Sequence, residues 1–533
     1  MTIEKNHTDN QELGQLRALL LKKDSQLAEL EQTVDKLRQS LIESGTQIQA
    51  LVEQLNLARR KRYGASSEVM PPQDLEFNEA ENHAADEEEQ NNIALEEQPN
   101  APQGSRAPKR GRTALPKDLP RERVIVDVPD EDKTCSCCQA ELSAMGENTS
   151  EKLVYIPARL YVEETVRPKY VCHHCESKGE NIVVMMASPP PNIIPKGIAT
   201  PSLLAQIITH KYYYALPLYR QESLFRQYGI ELSRKTMSQW ILRCADVLEP
   251  LMALLKDTLL KQKVLFADET TLTVLEDTRK KSYIWIYGCG SDKGGDSDSP
   301  GIVLFDYQDG SRGHSCPRAY LSNYSGYLHV DGYEAYEKTD ALLVGCLAHA
   351  RRKFVDAEKS LPKGQQNKVG KIQWALSWFQ KIYQIERDIK GLSTEERYRI
   401  RQEKSKPMLD TFKTWLDKSS LQVPPKSGLG MAISYCLNQW SKLTQFVKDG
   451  RLSVDNNRAE RSVRPFTVGR NNWLFSNTHN GARASATLYS LIETAKANDC
   501  EPYDYFEYIL REIPKLDSSD DHSHLLPWNM PKV

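Results

Sequence analysis

From Leu13 to Leu55 apolar residues recur at alternating spacings of three and four, and only Lys23 and Ser44 break the stripe. Six heptads in register, polar on every other face, predict a coiled coil rather than a helix packed on its own domain. From Lys263 the pattern changes to strand-length apolar runs: KVLFAD, SYIWIYGC, GIVLFDY, GYLHVD and ALLVGC. They are rich in β-branched and aromatic residues, and turn-rich loops join the first three, so an antiparallel meander is expected. Helices are predicted between the third and fourth runs, around Pro317 to Asn323, and between the fourth and fifth, around Glu334 to Thr339. Residues 351–450 are mostly helical in pattern, with Trp374, Trp378, Ile382 and Ile385 on one face as core.

Helical spacing also runs from Ser202 to Val247, broken at Gly229, with Ser233 as the N-cap of the last helix. Arg234 and Lys235 follow that cap, with Thr236, Ser238 and Gln239 near the helix start. Short helices, a Gly-containing turn and polar residues at a helix start match the logic of helix-turn-helix DNA recognition. Trp240, Ile241 and Val247 form the core face.

Three strands, helix, strand, helix, strand is the element order of a ribonuclease-H-like sheet. Asp268 closes the first apolar run, Asp331 closes the fourth, and Glu460 lies in the basic helical stretch VDNNRAERSVRPFTVGR. A single Asp after a strand commonly does no more than cap a turn. Three carboxylates in one place repel unless a cation shares the site, and two Mg2+ or Mn2+ ions suit in-line phosphoryl transfer. Asp455 is the alternative to Glu460. Arg461, Arg464 and Arg470 follow as DNA contacts, with Pro465 expected to interrupt the helix; Asn456 and Asn457 read as caps. His349, in CLAHARRKF, reads as a cap of its strand-to-helix turn or as a neighbour of the metal site, and Cys346 as core.

Charge redistributes the picture. The chain of 533 residues has a net charge of only −2, but residues 65–104 hold eleven Asp or Glu and no Lys or Arg, which leaves the rest at +9. The acidic stretch reads as disordered. Basic clusters stand at Arg59 to Arg62, at Pro108 to Arg112 (similar to a minor-groove AT-hook) and at Arg351 to Lys353. Of eleven cysteines, Cys135 and Cys138 pair in spacing with Cys172 and Cys175 across a β-rich stretch, the pattern of a structural Zn2+ site. Cys137, His173 and His174 are further potential ligands. The scattered remainder suits a reducing cytoplasm, and no apolar run reaches membrane-spanning length.

The motifs ADET, HVDGYEAY, CLAHARRKF, DNNRAERSVRPFTVGRNNWLF and SLIETAKAND, in this order, resemble transposases of the bacterial IS66 insertion-sequence family, of the DDE group. By that resemblance Asp268, Asp331 and Glu460 match the catalytic triad, and the four cysteines match the family's zinc-binding region. The resemblance implies cleavage of element ends and joining of 3′ ends to target DNA, in the bacterial cytoplasm and on the nucleoid. It also implies two small accessory proteins as partners. A nuclease without strand joining and an inactive DNA-binding regulator are the competing readings.

The expected organisation is multidomain α/β. A coiled coil (1–64), through which the chain forms a homo-oligomer, precedes an acidic then basic linker (65–123). A zinc-binding β-rich domain (124–186) and a helical DNA-binding region (198–250) follow. The ribonuclease-H-like core (260–350 and 451–500) is split by a helical insertion (351–450) and trailed by a tail (501–533).

Overall fold

In a computed structural model of the chain, the described residues are 20–41 and scattered positions to 55, 123, 160–171, 184–290, 300–361, 370–517 and 520–531. Cys135, Cys138, Cys172 and Cys175, the acidic stretch and both amino-terminal basic clusters lie outside them. Residues 20–41 are helical, and their apolar stripe stands exposed, from 42 % at Val34 to 74 % at Leu41. One unit (residues 80–187) contains the antiparallel pair β1 (Lys169–Val171) and β2 (Val184–Met186).

The other unit holds everything from Ser188 onward. Four helices open it: α1 (Pro201–Tyr212), α2 (Leu218–Gln227), α3 (Arg234–Val247) and α4 (Glu249–Leu260). The Ser233 hydroxyl caps α3 by accepting from the Thr236 N–H, as its sequence predicts. Met237, Trp240, Ile241 and Cys244 bury one face of α3, whereas Arg234, Lys235, Ser238 and Gln239 are exposed. These helices do not form a core of their own; they share one with the sheet that follows.

That sheet has the order β5-β4-β3-β6-β7. β3 (Val264–Leu272), β4 (Ser282–Cys289) and β5 (Ile302–Asp306) form the antiparallel meander, and β6 (Tyr327–Val330) and β7 (Leu342–Gly345) add in parallel on the other side of β3. The expected helices between them are α5 (Ser315–Tyr320) and a 3-10 turn at Glu334–Lys338. α6 (Leu347–Ser360) leads out of β7 into the insertion: α7 (Lys371–Asp388), α8 (Thr394–Ile400), α9 (Lys406–Ser420), α10 (Gly428–Asn438) and α11 (Trp440–Leu443). The insertion has its own core, in which Trp378 stacks on Phe412 with centroids 4.0 Å apart. Trp378 and Ile382 are buried as expected, whereas Trp374 lies at the edge, stacked on Trp415.

A π-helical turn, Arg401–Ser405, joins α8 to α9 and carries a fully buried arginine. The Arg401 guanidinium donates to the Glu386 carboxylate at 2.9 and 2.6 Å, and to the carbonyls of Phe446, Asp449 and Leu452, each at 2.9 Å. A buried charge needs such complete pairing. It also fixes the chain where the insertion returns to the sheet.

Two long helices finish the layer. α12 (Asn457–Trp473) packs on β3, and α13 (His479–Ala497) packs on β5. Pro465 does not interrupt α12, contrary to expectation; the helix runs through it to Trp473. Gly469 lets α12 pass α13 closely, since a Cβ there would collide with the Tyr489 hydroxyl. In the SLIETAKAND segment, Ser490, Thr494 and Asn498 face the outer edge of β5. Their side chains accept from the N–H groups of Phe305 (2.7 Å), Val303 (3.1 Å) and Gly301 (3.3 Å). The expected tail forms α14 (Pro502–Glu512), whose Tyr505, Phe506, Ile509 and Leu510 are fully buried against the shared core.

Candidate active site

Strand register brings the first two carboxylates together. Phe266 of β3 is paired with His329 of the parallel neighbour β6. Asp268 and Asp331 each lie two residues further on, and side chains two apart share a face. They therefore stand side by side just past the last β3–β6 pair, Asp268 in mid-strand and Asp331 directly after β6. The Asp268 carboxyl accepts from the N–H of Glu269 at 2.8 Å, and that of Asp331 from the N–H of Tyr333 at 2.9 Å. Gly332 makes the turn between them with φ +101°, a conformation suited to glycine. A Cβ on it would stand 3.0 Å from the Tyr435 hydroxyl, which donates to the Asp331 carbonyl at 2.8 Å.

The third carboxylate arrives by a crossing of the sheet's edge. Residues 453–456 bond to β6, to the start of α6 after β7, and to β3. The Val454 carbonyl accepts from the Leu347 N–H (3.1 Å), and the Ser453 N–H donates to Nε2 of His329 (3.3 Å). The Asn456 N–H meets the Cys346 sulfur (3.2 Å), and the Asn456 amide donates to the Ala267 carbonyl (3.0 Å). α12 begins at the next residue and sets Glu460 on its first turn. Asn456 thus holds the N-cap position but makes no side-chain capping bond; its amide joins the helix to β3 instead. Asn457 donates to the Asp455 carboxylate rather than capping.

The charges of the three carboxylates act on one another. Burial pushes the Asp268 carboxyl well above the usual carboxylate range, and the charges of Glu269, Asp331 and Glu460 push it further. Asp455 is not among the charges that act most on it. The Glu460 carboxylate lies 3.5 Å from the Arg352 guanidinium and 3.7 Å from Nε2 of His349. Among the described residues, no three His, Cys, Asp or Glu side chains converge closely enough to grip one metal ion. The donor set is nevertheless of the hard-oxygen kind that suits Mg2+ or Mn2+. Around it, the buried Oδ1 atoms of Asn456 and Asn457 and Nδ1 of His349 have no hydrogen-bond partner among the described residues. His349 sits in the first turn of α6 facing Glu460 and does not cap the strand-to-helix turn. Burial and the cations Arg352 and Lys353 lower its pKa to about 4. Cys346 is buried, as expected.

The predicted DNA-contacting arginines divide. Arg461 and Arg464 are exposed on α12. Arg470 is half-buried and turned onto β3, where it donates to the Thr271 carbonyl and hydroxyl and to the Thr270 hydroxyl.

Residues 196–484 match the family described as "Transposase IS66 family", a little over half of the chain. The chain belongs to the IS66 transposase family. Residues 132–176 of this IS66 transposase match the "zinc-finger binding domain of transposase IS66", and all four predicted zinc cysteines fall within that stretch. Residues 490–528 match the "IS66 C-terminal element", which here is the end of α13, α14 and the turns after it. Residues 50–124, read from sequence as coiled-coil end and linker, match the "Transposase C of IS166 homeodomain".

Two relatives from Sinorhizobium fredii (strain NBRC 101917 / NGR234) are similar over most of their length. Uncharacterized protein y4jD is 35 % identical over 80 % of this chain and 85 % of its own. Uncharacterized protein y4hP is 33 % identical over 78 % of this chain and 76 % of its own. No solved structure matches the transposase.

Sequence reasoning missed a second layer of this transposase's site. Glu269, next to Asp268, is paired with Arg312 (2.7 Å) and accepts from the Tyr336 hydroxyl (3.2 Å). Arg312 in turn lies between the rings of Tyr283 and Tyr333. The ADET and DGYEAY motifs contain Glu269, Tyr333 and Tyr336, but nothing in their spacing announces a pairing with Arg312. No helix among the described residues is long and apolar enough to cross a membrane.

Proposed function

We propose that this transposase is a DDE enzyme with a ribonuclease-H-like catalytic domain, which cleaves the ends of an insertion element and joins the freed 3′ ends to target DNA. What carries the reading is geometric: the β3–β6 register sets Asp268 beside Asp331, and the first turn of α12 brings Glu460 near enough for its charge to act on the buried Asp268. A buried group of like charges of this kind calls for a cation. The sheet order and the parallel β3–β6 register support the fold assignment.

Asp268, Asp331 and Glu460 would hold Mg2+ or Mn2+. The chemistry the ion supplies there is activation of a water or 3′-hydroxyl oxygen and neutralisation of charge on the leaving oxygen. The chain's own contribution is placement. Asn456, Tyr435 and Arg470 fix the elements that carry the carboxylates, and Arg352 balances the charge of Glu460. Exposed Arg234 and Lys235 on α3, and Arg461 and Arg464 on α12, are placed to meet DNA phosphates. Arg470 serves by holding α12 to β3. Zn2+ on Cys135, Cys138, Cys172 and Cys175 is structural. The exposed stripe of the amino-terminal helix supports homo-oligomerisation, and the element's two small accessory proteins act beside it in the bacterial cytoplasm.

The test is strand cleavage and joining on DNA carrying the element's ends. Asp268→Ala, Asp331→Ala and Glu460→Ala should each abolish both steps while leaving DNA binding largely intact. An active Glu460→Ala beside an inactive Asp455→Ala would transfer the third position to Asp455.

A further inference from the structure

α12 ends in a backbone conformation that leucine rarely adopts. Leu474 has φ 65° and ψ −45°, and the N–H of Phe475 donates to the carbonyl of Trp473 at 2.9 Å. This is the strained, positive-φ form of the γ-turn. Both sides of the turn are anchored. The Leu474 N–H closes the helix on the Arg470 carbonyl (2.8 Å), and Ser476 bonds to Thr273 (2.9 Å) and Leu275 (3.0 Å) beyond β3. Strain held from both sides points to a use for the shape it imposes.

The shape presents apolar side chains to solvent. Leu474 is 63 % exposed, Phe475 44 % and the neighbouring Leu275 59 %, although glycine would serve the turn better than leucine. The helix that leads to the turn is cationic: Arg461 and Arg464 stand exposed on α12 and residues 461–492 contain no carboxylate, while the carboxylate of Glu276, beside Leu275, accepts from the first N–H of α13. Exposed large apolar residues in such a setting suit a polyanion whose interior is apolar, which is stacked DNA.

We propose that Leu474 and Phe475, flanked by Leu275, form a wedge that inserts between bases of the DNA strand passing along α12. The inference rests on the reading that Glu460 lies at the scissile phosphate. Fourteen residues separate Glu460 from Leu474, which at about 1.5 Å per residue places the wedge about 21 Å away. At about 3.4 Å per nucleotide, that is about six nucleotides along a strand that follows the helix.

The experiment uses the full chain and a duplex bearing the element's terminal repeat, with 2-aminopurine placed in turn at positions about three to nine nucleotides from the cleaved phosphate. Wild-type protein should raise the fluorescence near position six. Leu474→Gly removes the side chain and relieves the turn, so its melting temperature should stay level or rise. Leu474→Gly and Phe475→Ala should lose most of the fluorescence gain while duplex affinity changes by less than about tenfold, because lost insertion is offset by retained base stacking. Leu474→Met should restore the signal. A wild-type complex with no gain at any position, or a gain that persists in the double variant, overturns the wedge. So does a change in sedimentation on substitution, which would make this face a contact between copies. Cleavage failing in Mg2+ with the wedge signal intact would overturn the active-site reading and leave the wedge standing.

Discussion

The amide of Asn456 donates to the carbonyl of Ala267 at 3.0 Å, and this bond ties the start of the helix that carries Glu460 to the strand that carries Asp268. Both residues are buried. Asn456→Ala removes the donor and leaves a buried carbonyl unmatched, at a cost of about 1–3 kcal/mol. The expected outcome is a modest fall in unfolding free energy, measured in denaturant, with a proportionally larger fall in strand cleavage. Cleavage at the wild-type rate would show that Glu460 is placed by other contacts.

Gly332 is the second point at which geometry controls the site. Gly332→Ala forces a Cβ into a positive-φ turn and toward the Tyr435 hydroxyl. A loss of about 1–3 kcal/mol is expected from the strain, with cleavage reduced because Asp331 is next in the chain. Combining it with Tyr435→Phe relieves only the contact, so stability should recover in part. Full recovery would mean that backbone strain is not the cause.

Much of the five-stranded sheet is legible because apolar run length and composition mark buried strands, and the five predicted runs are β3 to β7. Register was not legible. Nothing in the sequence pairs Phe266 with His329, yet that pairing is what sets Asp268 beside Asp331. Pro465 misled because its missing N–H removes one bond, a cost that the packing of α12 on β3 offsets. The carboxyl-terminal segment, expected as a tail, is instead a packed helix, whose signal is the amphipathic spacing of Tyr505, Phe506, Ile509 and Leu510. Arg470 illustrates the limit for charged residues: sequence supplies the cation, but only packing reveals that it faces Thr271.

Arg401 pins the insertion where its chain returns toward the sheet. Replacing it with Met strands the Glu386 carboxylate and three backbone carbonyls, and a loss of about 3–5 kcal/mol is expected. The thermal transition should fall accordingly, and the double variant Arg401→Met, Glu386→Met should regain part of the loss. Equal stability of the single variant and wild type would contradict the pin.

Zinc should be present at one ion per chain in protein purified without chelators under reducing conditions. Cys172→Ser or chelation should unfold residues 124–186 and leave the thermal transition of the catalytic unit in place. Metal analysis and limited proteolysis distinguish the outcomes, and an absence of zinc in reduced protein would remove the assignment.

The side chains of Ser490, Thr494 and Asn498 also decide what the outer border of the sheet cannot do. An outer strand with open N–H groups is a template onto which any other extended chain can add, including the same strand of a second copy. Here α13 occupies every second donor of β5 from outside. Growth by edge-to-edge pairing is closed at that border. Copies crowded together can therefore meet repeatedly at this border without their β5 strands pairing.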